Sequence, residues 1–343
     1  MRLAFPAFVL IAFLTLMDAS HALAEPHPAG FSNHKFNPAN PVTENGVTTF
    51  HIDNHGCSDT KYGDGRGESD CYNGNVRSVL APSRQEKLGE SVEYSFDLWV
   101  DPSIDYPGYI NSHAHGFIPD GRDTRLRIAS WEGQHLHNFL YMLKLDAFHG
   151  VRFLSKPCFP VDKLGEWNRF SMKVNWASDK KGWIKVSCND KVVWLQEGIA
   201  TNQAPECYVT NQCEPGKKKN ATRINFIPGP VLMGFGYEWK KHRKPSQFTE
   251  IQKDGITLKM RNLKVTKGAR LYDDADIEQV KALQAHLNAL GCDVGSVDGA
   301  AGPKTRKVAL ECREFEDGVL PETFDLATLP MILAAYREHY PAQ

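Results

Sequence analysis

The chain has 343 residues, which is more than one average domain and favours two folded units. Hydrophobic residues make up 41% of the sequence and charged residues 24%, which is ordinary for a globular protein with a buried core. The formal net charge is −1, so the overall charge does not favour binding to nucleic acid or to an anionic membrane surface. An acidic polymer would therefore need a local basic groove.

The first 24 residues have the pattern of a secretory signal. Arg2 supplies a positive charge, residues 3–16 are mostly apolar, and Ala22-Leu23-Ala24 offers a small-x-small cleavage site. The apolar run is short for a membrane span, and an uncleaved anchor is the alternative. We therefore expect an exported protein, periplasmic or extracellular, with no membrane span after signal cleavage.

Eight cysteines follow the expected cleavage site, and an even number in an exported chain indicates disulfides. Proximity along the chain suggests the pairs Cys57–Cys71, Cys207–Cys213 and Cys292–Cys312, which leaves Cys158–Cys188. Sequence alone does not determine the connectivity, because eight cysteines allow about 105 pairings. A zinc site is the alternative, and the absence of any C-x-x-C pair argues against it.

The region after the signal has the texture of a large β-sandwich. Residues 92–100, 170–176 and 183–188 each alternate apolar and polar side chains, as half-buried strands of an antiparallel sheet do. Turn sequences at 178–182 and 189–191 separate consecutive strands. Helical periodicity is almost absent here, which favours a sandwich. The tryptophans of this region are interpreted as core residues rather than sugar platforms: Trp167, Trp176 and Trp183.

Three segments of this region resemble the jelly-roll polysaccharide lyases, the group that includes heparin lyase I, glucuronan lyase and alginate lyase. Residues 164–193 match a G-x-W-x-x-F strand, a W-S-x-D-x-x-G turn and a second strand that ends in V-x-x-N-G-K. Residues 77–80 (RSVL) resemble an R-T-E-L-type strand, and residues 231–237 (VLMGFGY) a Y-F-K-x-G-x-Y strand. The resemblance spans residues 73–265 and implies a concanavalin-like jelly roll. The same pattern also occurs in concanavalin-like lectins and glucanases.

Such lyases cleave uronate polymers by β-elimination, which needs a donor at the carboxylate, a base at C5 and an acid at the leaving O4. The resemblance implies that Tyr237 is the catalytic tyrosine, that Arg77 binds the substrate carboxylate, and that His115 is the catalytic histidine. Each of these has a plainer interpretation as a structural side chain. The other expected substrate-binding residues are His113, His135, His137, Lys240, Lys241 and Arg243.

The chain also departs from the lyase pattern. Val79 replaces the glutamate of R-T-E-L, and Met233, Glu238 and Trp239 replace residues around the tyrosine. Either the substrate differs from alginate or catalysis has been lost. A non-catalytic, lectin-like envelope protein that binds glycans is therefore the main alternative to a lyase. A glycoside hydrolase ranks last, because it would need two carboxylates about 5–10 Å apart and no E-x-D-x-x-E-type strand is present.

No cofactor is expected. Asp64, Glu68 and Asp70 lie in the loop between Cys57 and Cys71, where they form a candidate calcium site. Acidic loops on protein surfaces usually bind no ion, so this site is a minor alternative.

The pattern changes to helices after residue 267. Ile277, Val280, Leu283, Leu287 and Leu290 recur at three- and four-residue steps, which predicts an amphipathic helix that ends at Gly291. Two further helical stretches are expected at about 303–315 and 326–340. A disulfide between the first two helices would stabilise a unit this small, because small domains bury little surface.

Two motifs in this segment resemble the peptidoglycan-binding domain family. Residues 280–291 read VKALQAHLNALG, and residues 297–305 read VDGAAGPKT. The resemblance spans residues 275–333 and implies a small three-helix unit that anchors the protein to the cell wall. A helical appendage that only stabilises the fold is the alternative.

The expected architecture is therefore mainly β, with three parts. A signal peptide occupies residues 1–24, a jelly-roll β-sandwich residues 25–267, and a peptidoglycan-binding helical domain residues 274–340. The expected partners are an acidic polysaccharide and peptidoglycan, with no nucleic acid. We expect an exported, cell-wall-associated protein that cleaves a uronate-containing glycan.

Overall fold

The computed structural model describes residues 26–53, 56–63, 67–73, 75–104, 126–133, 138–202, 222–232, 254–316, 318–321, 324 and 328–341. The expected signal peptide and its cleavage site lie outside the described residues. The described part of the chain is mainly β, with antiparallel sheets followed by helices near the C-terminus. None of the described helices is long and apolar enough to cross a membrane.

The strands are numbered in chain order. They are β1 Phe31–Asn33, β2 Val42–Glu44, β3 Val47–Ile52, β4 Val76–Arg77, β5 Leu80–Pro82, β6 Glu86–Lys87, β7 Ser91–Val100, β8 Leu126–Gly133, β9 Asn138–Asp146, β10 Gly150–Phe153, β11 Lys156–Phe159, β12 Asn168–Asn175, β13 Gly182–Cys188, β14 Lys191–Ile199, β15 Arg223–Leu232 and β16 Ile256–Lys267.

Two large antiparallel sheets and one small one contain these strands. Sheet I has seven described strands in the order β14-β13-β12-β7-β16-β3-β2. Sheet II has the order β11-β10-β9-β8-β15-β4, with β6 also paired to β15. Strands β1 and β5 form the two-stranded sheet. This arrangement is consistent with the expected jelly-roll sandwich.

The three strands predicted from alternation are confirmed as β7, β12 and β13. In β7 the residues Val92, Tyr94, Phe96, Leu98 and Val100 are buried, and the intervening side chains are partly exposed. This alternation is what a strand requires when only one of its faces packs on another sheet.

The turn at residues 189–191 is also confirmed. Asn189 and Asp190 have φ of 47° and 62°, and they connect β13 to β14. Positive φ at both central residues is the type I′ geometry, which Asn and Asp tolerate better than most residues. This turn sets the register in which β13 pairs with β14.

Aromatic side chains fill the space between the sheets. Phe96 and Phe170 from sheet I pack against Trp131, Phe153 and Phe226 from sheet II. The Trp131 and Phe226 rings are stacked with centroids 4.9 Å apart. Trp176 is fully buried, as predicted, whereas Trp167 and Trp183 are only half-buried and do not belong to this core.

Three of the predicted disulfides are confirmed: Cys57–Cys71, Cys158–Cys188 and Cys292–Cys312. Cys158 lies on β11 and Cys188 on β13, so this bond connects sheet II to sheet I. The predicted pair Cys207–Cys213 lies outside the described residues. Disulfides of this kind are typical of proteins that fold in an oxidising compartment.

The resemblance to R-T-E-L implied one continuous strand at residues 77–80, but the structure divides these residues between two strands. Arg77 ends β4 in sheet II, and Leu80 begins β5 in the two-stranded sheet. Between them the Ser78 N–H donates to the Pro230 carbonyl at 3.0 Å, and the Val79 N–H donates to Asn37 Oδ1 at 3.0 Å. The chain changes sheets here because these hydrogen bonds take it out of a regular ladder.

The described helices are α1 Asp70–Asn73, α2 Asp274–Ala289, α3 Pro303–Glu311 and α4 Leu329–His339. Helix α3 ends earlier than the expected residue 315, because Phe315 turns back to pack on Tyr336 with ring centroids 5.0 Å apart. The last three helices share a core of their own, formed by Val280, Leu283, Leu287, Ala309, Ile332 and Tyr336 among others.

This helical unit packs on the outward face of sheet I. Lys185 of β13, only 7% exposed, binds Asp276 of α2 at 2.8 Å. Glu197 of β14 accepts hydrogen bonds from the Tyr272 hydroxyl at 2.7 Å and from Arg306 of α3 at 2.6 Å. The unit is therefore attached to the sandwich by partly buried ionic contacts rather than by a linker alone.

A buried carboxyl group in the sandwich core leads to the first prediction. Glu86 is 3% exposed, and burial raises its pKa to about 6 even though the Tyr94 hydroxyl and a backbone N–H favour the charged form. Between pH 4.5 and 6 the folded state therefore binds more protons than the unfolded state, so Glu86 lowers stability as the pH rises through this window.

The free energy of unfolding of Glu86→Gln minus that of the wild type should be about 2 kcal/mol larger at pH 7 than at pH 4, because only the wild type must ionise a buried carboxyl group. Urea unfolding of the oxidised protein at both pH values measures this change. Equal stability differences at pH 4 and pH 7 would show that Glu86 has an ordinary pKa. Glu93→Gln, on the outward side of β7, is the matched control.

Candidate functional site

The register of sheet II brings four basic residues into one row. Arg77 of β4 lies opposite Val231 of β15, which lies opposite Arg127 of β8. Arg127 is opposite Lys144 of β9, and Lys144 is opposite Arg152 of β10. Residues that face each other across antiparallel strands project from the same side of the sheet. We call Arg77, Arg127, Lys144 and Arg152 the cationic row.

The cationic row lies on the outward face of sheet II. The residues next to it in sequence, such as Val76, Leu126 and Val151, belong to the core between the sheets. The row itself is nevertheless shielded from solvent: Arg127 is 5% and Arg152 6% exposed. Guanidinium groups are rarely this buried unless carboxylates hold them, and buried cations attract anions strongly.

Asp70 holds Arg77 at one end of the row. The carboxylate of Asp70 is fully buried and accepts from Arg77 Nη2 at 2.5 Å, while the Arg77 side chain keeps 15% exposure. Tyr62 and Asn75 also donate to Asp70 Oδ1, at 2.7 and 3.2 Å. Arg77 Nε also lies 2.5 Å from Asp70 Oδ2, so the carboxylate meets two nitrogens of the guanidinium and fixes its orientation.

Two further carboxylates hold the other guanidinium groups. Arg127 Nη1 donates to Glu132 Oε1 at 3.0 Å, and the Ser130 hydroxyl donates to the same oxygen at 2.7 Å. The guanidinium of Arg127 also lies 3.7 Å from the ring centroid of Phe139. Arg152 Nη2 donates to the buried Asp146 at 2.7 Å. Each guanidinium is thus fixed in orientation, which favours binding of a planar carboxylate.

A cavity of about 660 Å³ continues along the same face of sheet II. Asn225 and Ile227 of β15 line its floor, and His34, Arg84, Lys87 and Arg223 are among its other lining residues. None of its described lining residues is a carboxylate. The cavity and the cationic row lie on the same face of sheet II, and we call them together the sheet II groove.

His34 connects the cavity to the cationic row. Burial and the charge of Arg77 lower the pKa of His34 to about 4, against the smaller raising effects of Asp70 and Glu132. The Phe36 N–H donates to His34 Nδ1 at 3.3 Å, which places the proton of the neutral ring on Nε2. His34 is therefore a neutral hydrogen-bonding group at physiological pH, near Arg77.

Among the site residues expected from the sequence, the structure describes only Arg77. It lies on the outward face of sheet II, where Asp70 holds its guanidinium. The remaining ones lie outside the described residues: Tyr237, His115, His113, His135, His137, Lys240, Lys241 and Arg243. Their roles stay predictions.

Several groove residues were missed by sequence reasoning. Arg127 and Arg152 stand inside strands whose other residues are mostly buried and apolar, as in Leu126-Arg127-Ile128. A charged residue in such a strand is a detectable signal, because burial of an unpaired charge is costly. His34 offered no such signal, since its position depends on the pairing of β1 with β5.

The expected calcium site is not assembled in the described residues. Asp70 is engaged by Arg77 rather than by other carboxylates, and Asp64 lies outside the described residues. No cluster of three or more metal-ligating side chains occurs in the part of the chain that the structure describes.

Comparison with protein-family models finds no match, and no curated protein matches by sequence. Solved structures with similar folds include an endo-β-1,4-glucuronan lyase from Trichoderma reesei, at 12% identity and a TM-score of 0.42 over 71% of this chain and 93% of that one. An exolytic alginate lyase from Zobellia galactanivorans has 10% identity and a TM-score of 0.36, over 72% and 91% of the two chains.

A β-glucanase catalytic domain from Podospora anserina is similar at 11% identity and a TM-score of 0.34, over 71% of this chain and 87% of that one. Proteins with different activities therefore stand at similar distances from this chain. Similarity at this level does not assign a function. The architecture is defined by the strand order of the two sheets.

The low pKa of His34 leads to the second prediction. Between pH 6.5 and 4 the unfolded chain takes up a proton at this histidine and the folded chain does not. The free energy of unfolding therefore falls as the pH decreases through this interval. We expect the stability advantage of the wild type over His34→Gln to be larger at pH 7 than at pH 4.5, measured by urea unfolding.

His51 provides the control, because its ring bonds Thr257 on the exposed surface of sheet I. The difference in unfolding free energy between the wild type and His51→Gln, measured at the same two pH values, is the baseline. A pH-independent difference for His34→Gln would contradict the low pKa.

Proposed function

We propose that the protein binds an acidic, uronate-containing glycan in the sheet II groove and cleaves it by β-elimination. The observation that carries this proposal is the cationic row, in which carboxylates orient buried guanidinium groups on an outward-facing surface. The adjoining cavity adds Arg84, Lys87 and Arg223 without a carboxylate among its described lining residues. Such a surface favours a polyanion.

The chemistry explains why cations are required. The C5 proton of a uronate becomes acidic enough to remove only when the neighbouring carboxylate is neutralised. Arg77 and Arg127 flank Val231 on the same face, so a carboxylate above Val231 would meet donors from both sides. Their fixed orientation avoids reorganisation when negative charge develops. This arrangement supplies the electrostatic part of the reaction.

The proton steps are assigned from the sequence resemblance. Tyr237 is proposed to act as base and acid, with His115 beside it, and the residues proposed to contact the substrate are His113, His135, His137, Lys240, Lys241 and Arg243. Tyrosine suits both proton steps when nearby cations lower its pKa. Neutral His34 in the groove is a further hydrogen-bonding partner for the sugar hydroxyls.

The proposal extends to location. The pattern of residues 1–24 and the three disulfides support export. The two motifs at residues 280–305 support binding of the helical unit to peptidoglycan. The unit would then hold the groove close to the cell wall, since it is attached to the opposite sheet.

The third prediction tests the activity. We expect the oxidised protein to generate ultraviolet absorbance from the conjugated double bond when it is incubated with polyglucuronate, alginate or heparin. Tyr237→Phe should abolish this signal. Arg223→Met, in the cavity, should raise the apparent KM about fivefold because one cationic contact is lost. Arg169→Met is the matched control, because Arg169 is 62% exposed on sheet I.

The outcomes separate the lyase from a lectin. Binding of these polymers without new absorbance or new reducing ends would support a glycan-binding protein and reject catalysis. Absence of binding by the wild type at low ionic strength would reject the sheet II groove as a polyanion site, because screening is weakest there.

A further inference from the structure

Trp183 lies between two cavities on the outward side of sheet I. One cavity, of about 550 Å³, contains Trp183 together with Asn175, Asp179 and Lys181. The other, of about 440 Å³, contains Trp183 together with residues of the helical unit. Each volume is in the range of small-molecule sites. We call the pair the junction cleft.

The floor of the junction cleft is a row of outward-facing residues. Ser91 of β7 lies opposite Asn175 of β12, and Asn175 lies opposite Trp183 of β13. Asn175 Nδ2 donates to Ser91 Oγ at 2.9 Å, which orients the amide. Glu197 of β14 follows in the same row, opposite Trp183, but lines neither cavity. A flat indole therefore stands among small polar groups.

The helical unit forms one wall of the cleft. Arg270, Tyr272 and Asp298 line the cavity on this side of Trp183. The hydrogen bonds of Glu197 with Tyr272 and Arg306 fix this wall against sheet I. The helical unit therefore contributes to the smaller cavity, whereas sandwich residues alone line the larger one.

Trp183 differs from two other half-buried tryptophans of the sandwich. The Arg261 guanidinium covers Trp167 at 4.3 Å from the ring centroid, and the Lys259 ammonium covers Trp99 at 4.7 Å. Within the described residues Trp183 has no such cation over its ring, and its indole N–H has no hydrogen-bond partner. Its ring face and its donor are both available to a ligand.

The charges around the junction cleft are balanced. Lys181 pairs with Asp179 at 3.9 Å, and Arg270 pairs with Asp274 at 2.8 Å. Asp298 accepts hydrogen bonds from the Gln284 side chain and from the Ala300 N–H, and these lower its pKa so that it remains an ionised acceptor. The cleft thus lacks the positive excess of the sheet II groove and does not favour a polyanion.

We propose that the junction cleft binds a neutral pyranose glycan, with one sugar ring stacked on Trp183. The C–H face of a pyranose is apolar and matches a flat aromatic surface, while its hydroxyls need the mixed donors and acceptors that surround the indole. Asn175 lines one cavity and Asp298 the other, so the two would bind hydroxyls of successive sugars. This second site is independent of the activity proposed for sheet II.

The fourth prediction tests this site in the full-length, oxidised protein. We expect cellotetraose or the tetramer of N-acetylglucosamine to bind by titration calorimetry and to change tryptophan fluorescence. Trp183→Ala should weaken binding at least about tenfold, because an aromatic anchor is lost. Trp183→Tyr, which retains a ring, should recover most of the affinity. This conservative variant also guards against loss of folding in Trp183→Ala.

Two controls separate the junction cleft from the rest of the molecule. Trp167→Ala removes a half-buried tryptophan that Arg261 already covers, and it should leave affinity for the neutral tetramers unchanged. Arg223→Met should also leave it unchanged, since Arg223 lines the sheet II groove. The proposal is overturned if neither tetramer binds the wild type at millimolar concentration, or if Trp183→Ala binds as tightly as the wild type.

Discussion

The packing of two sheets through one side of each strand is the constraint on which the rest of the structure depends. Phe96 and Phe170 meet Trp131, Phe153 and Phe226 in a close-packed layer, so the inward side of the central strands consists mainly of apolar groups. Because successive residues alternate between faces, the opposite side of each strand must project outward. Both candidate sites are built from these outward residues, one on each sheet.

Irregular pairing in sheet II decides which residues reach the groove. In a regular strand, Arg127 and Trp131 would share a face. The register shifts after Arg127, so that the adjacent Ile128 and Ala129 are both buried, Arg127 points outward and Trp131 points inward. Strand β15 has a matching irregularity at Gly229, whose φ is 113° and where a Cβ would lie 2.4 Å from the Ser78 carbonyl. A side chain there would disturb the pairing that brings Arg77 near Arg127.

The two outward faces differ in charge and therefore suit different ligands. Sheet II carries guanidinium groups that are desolvated and oriented by Asp70, Glu132 and Asp146, which is suited to carboxylates. On sheet I, a tryptophan with balanced charges faces the helical unit. The contacts of Lys185 and Glu197 attach that unit, so the chain presents two binding surfaces on a single scaffold. A polymer bound on one face would not compete for the other.

Local pattern in the sequence determined much of the fold: the alternating strands β7, β12 and β13, the Asn189-Asp190 turn, the first amphipathic helix and three disulfides. These depend on neighbouring residues or on simple proximity, which a sequence displays directly. Sequence resemblance also singled out Arg77. Only the tertiary structure decided that Arg127, Lys144 and Arg152 join Arg77 in a row, that half-buried His34 lies near Arg77, and that Trp183 faces the helical unit. Each of those depends on register, on bulges and on contacts between residues far apart in the chain, and such long-range pairings leave no local periodicity in the sequence.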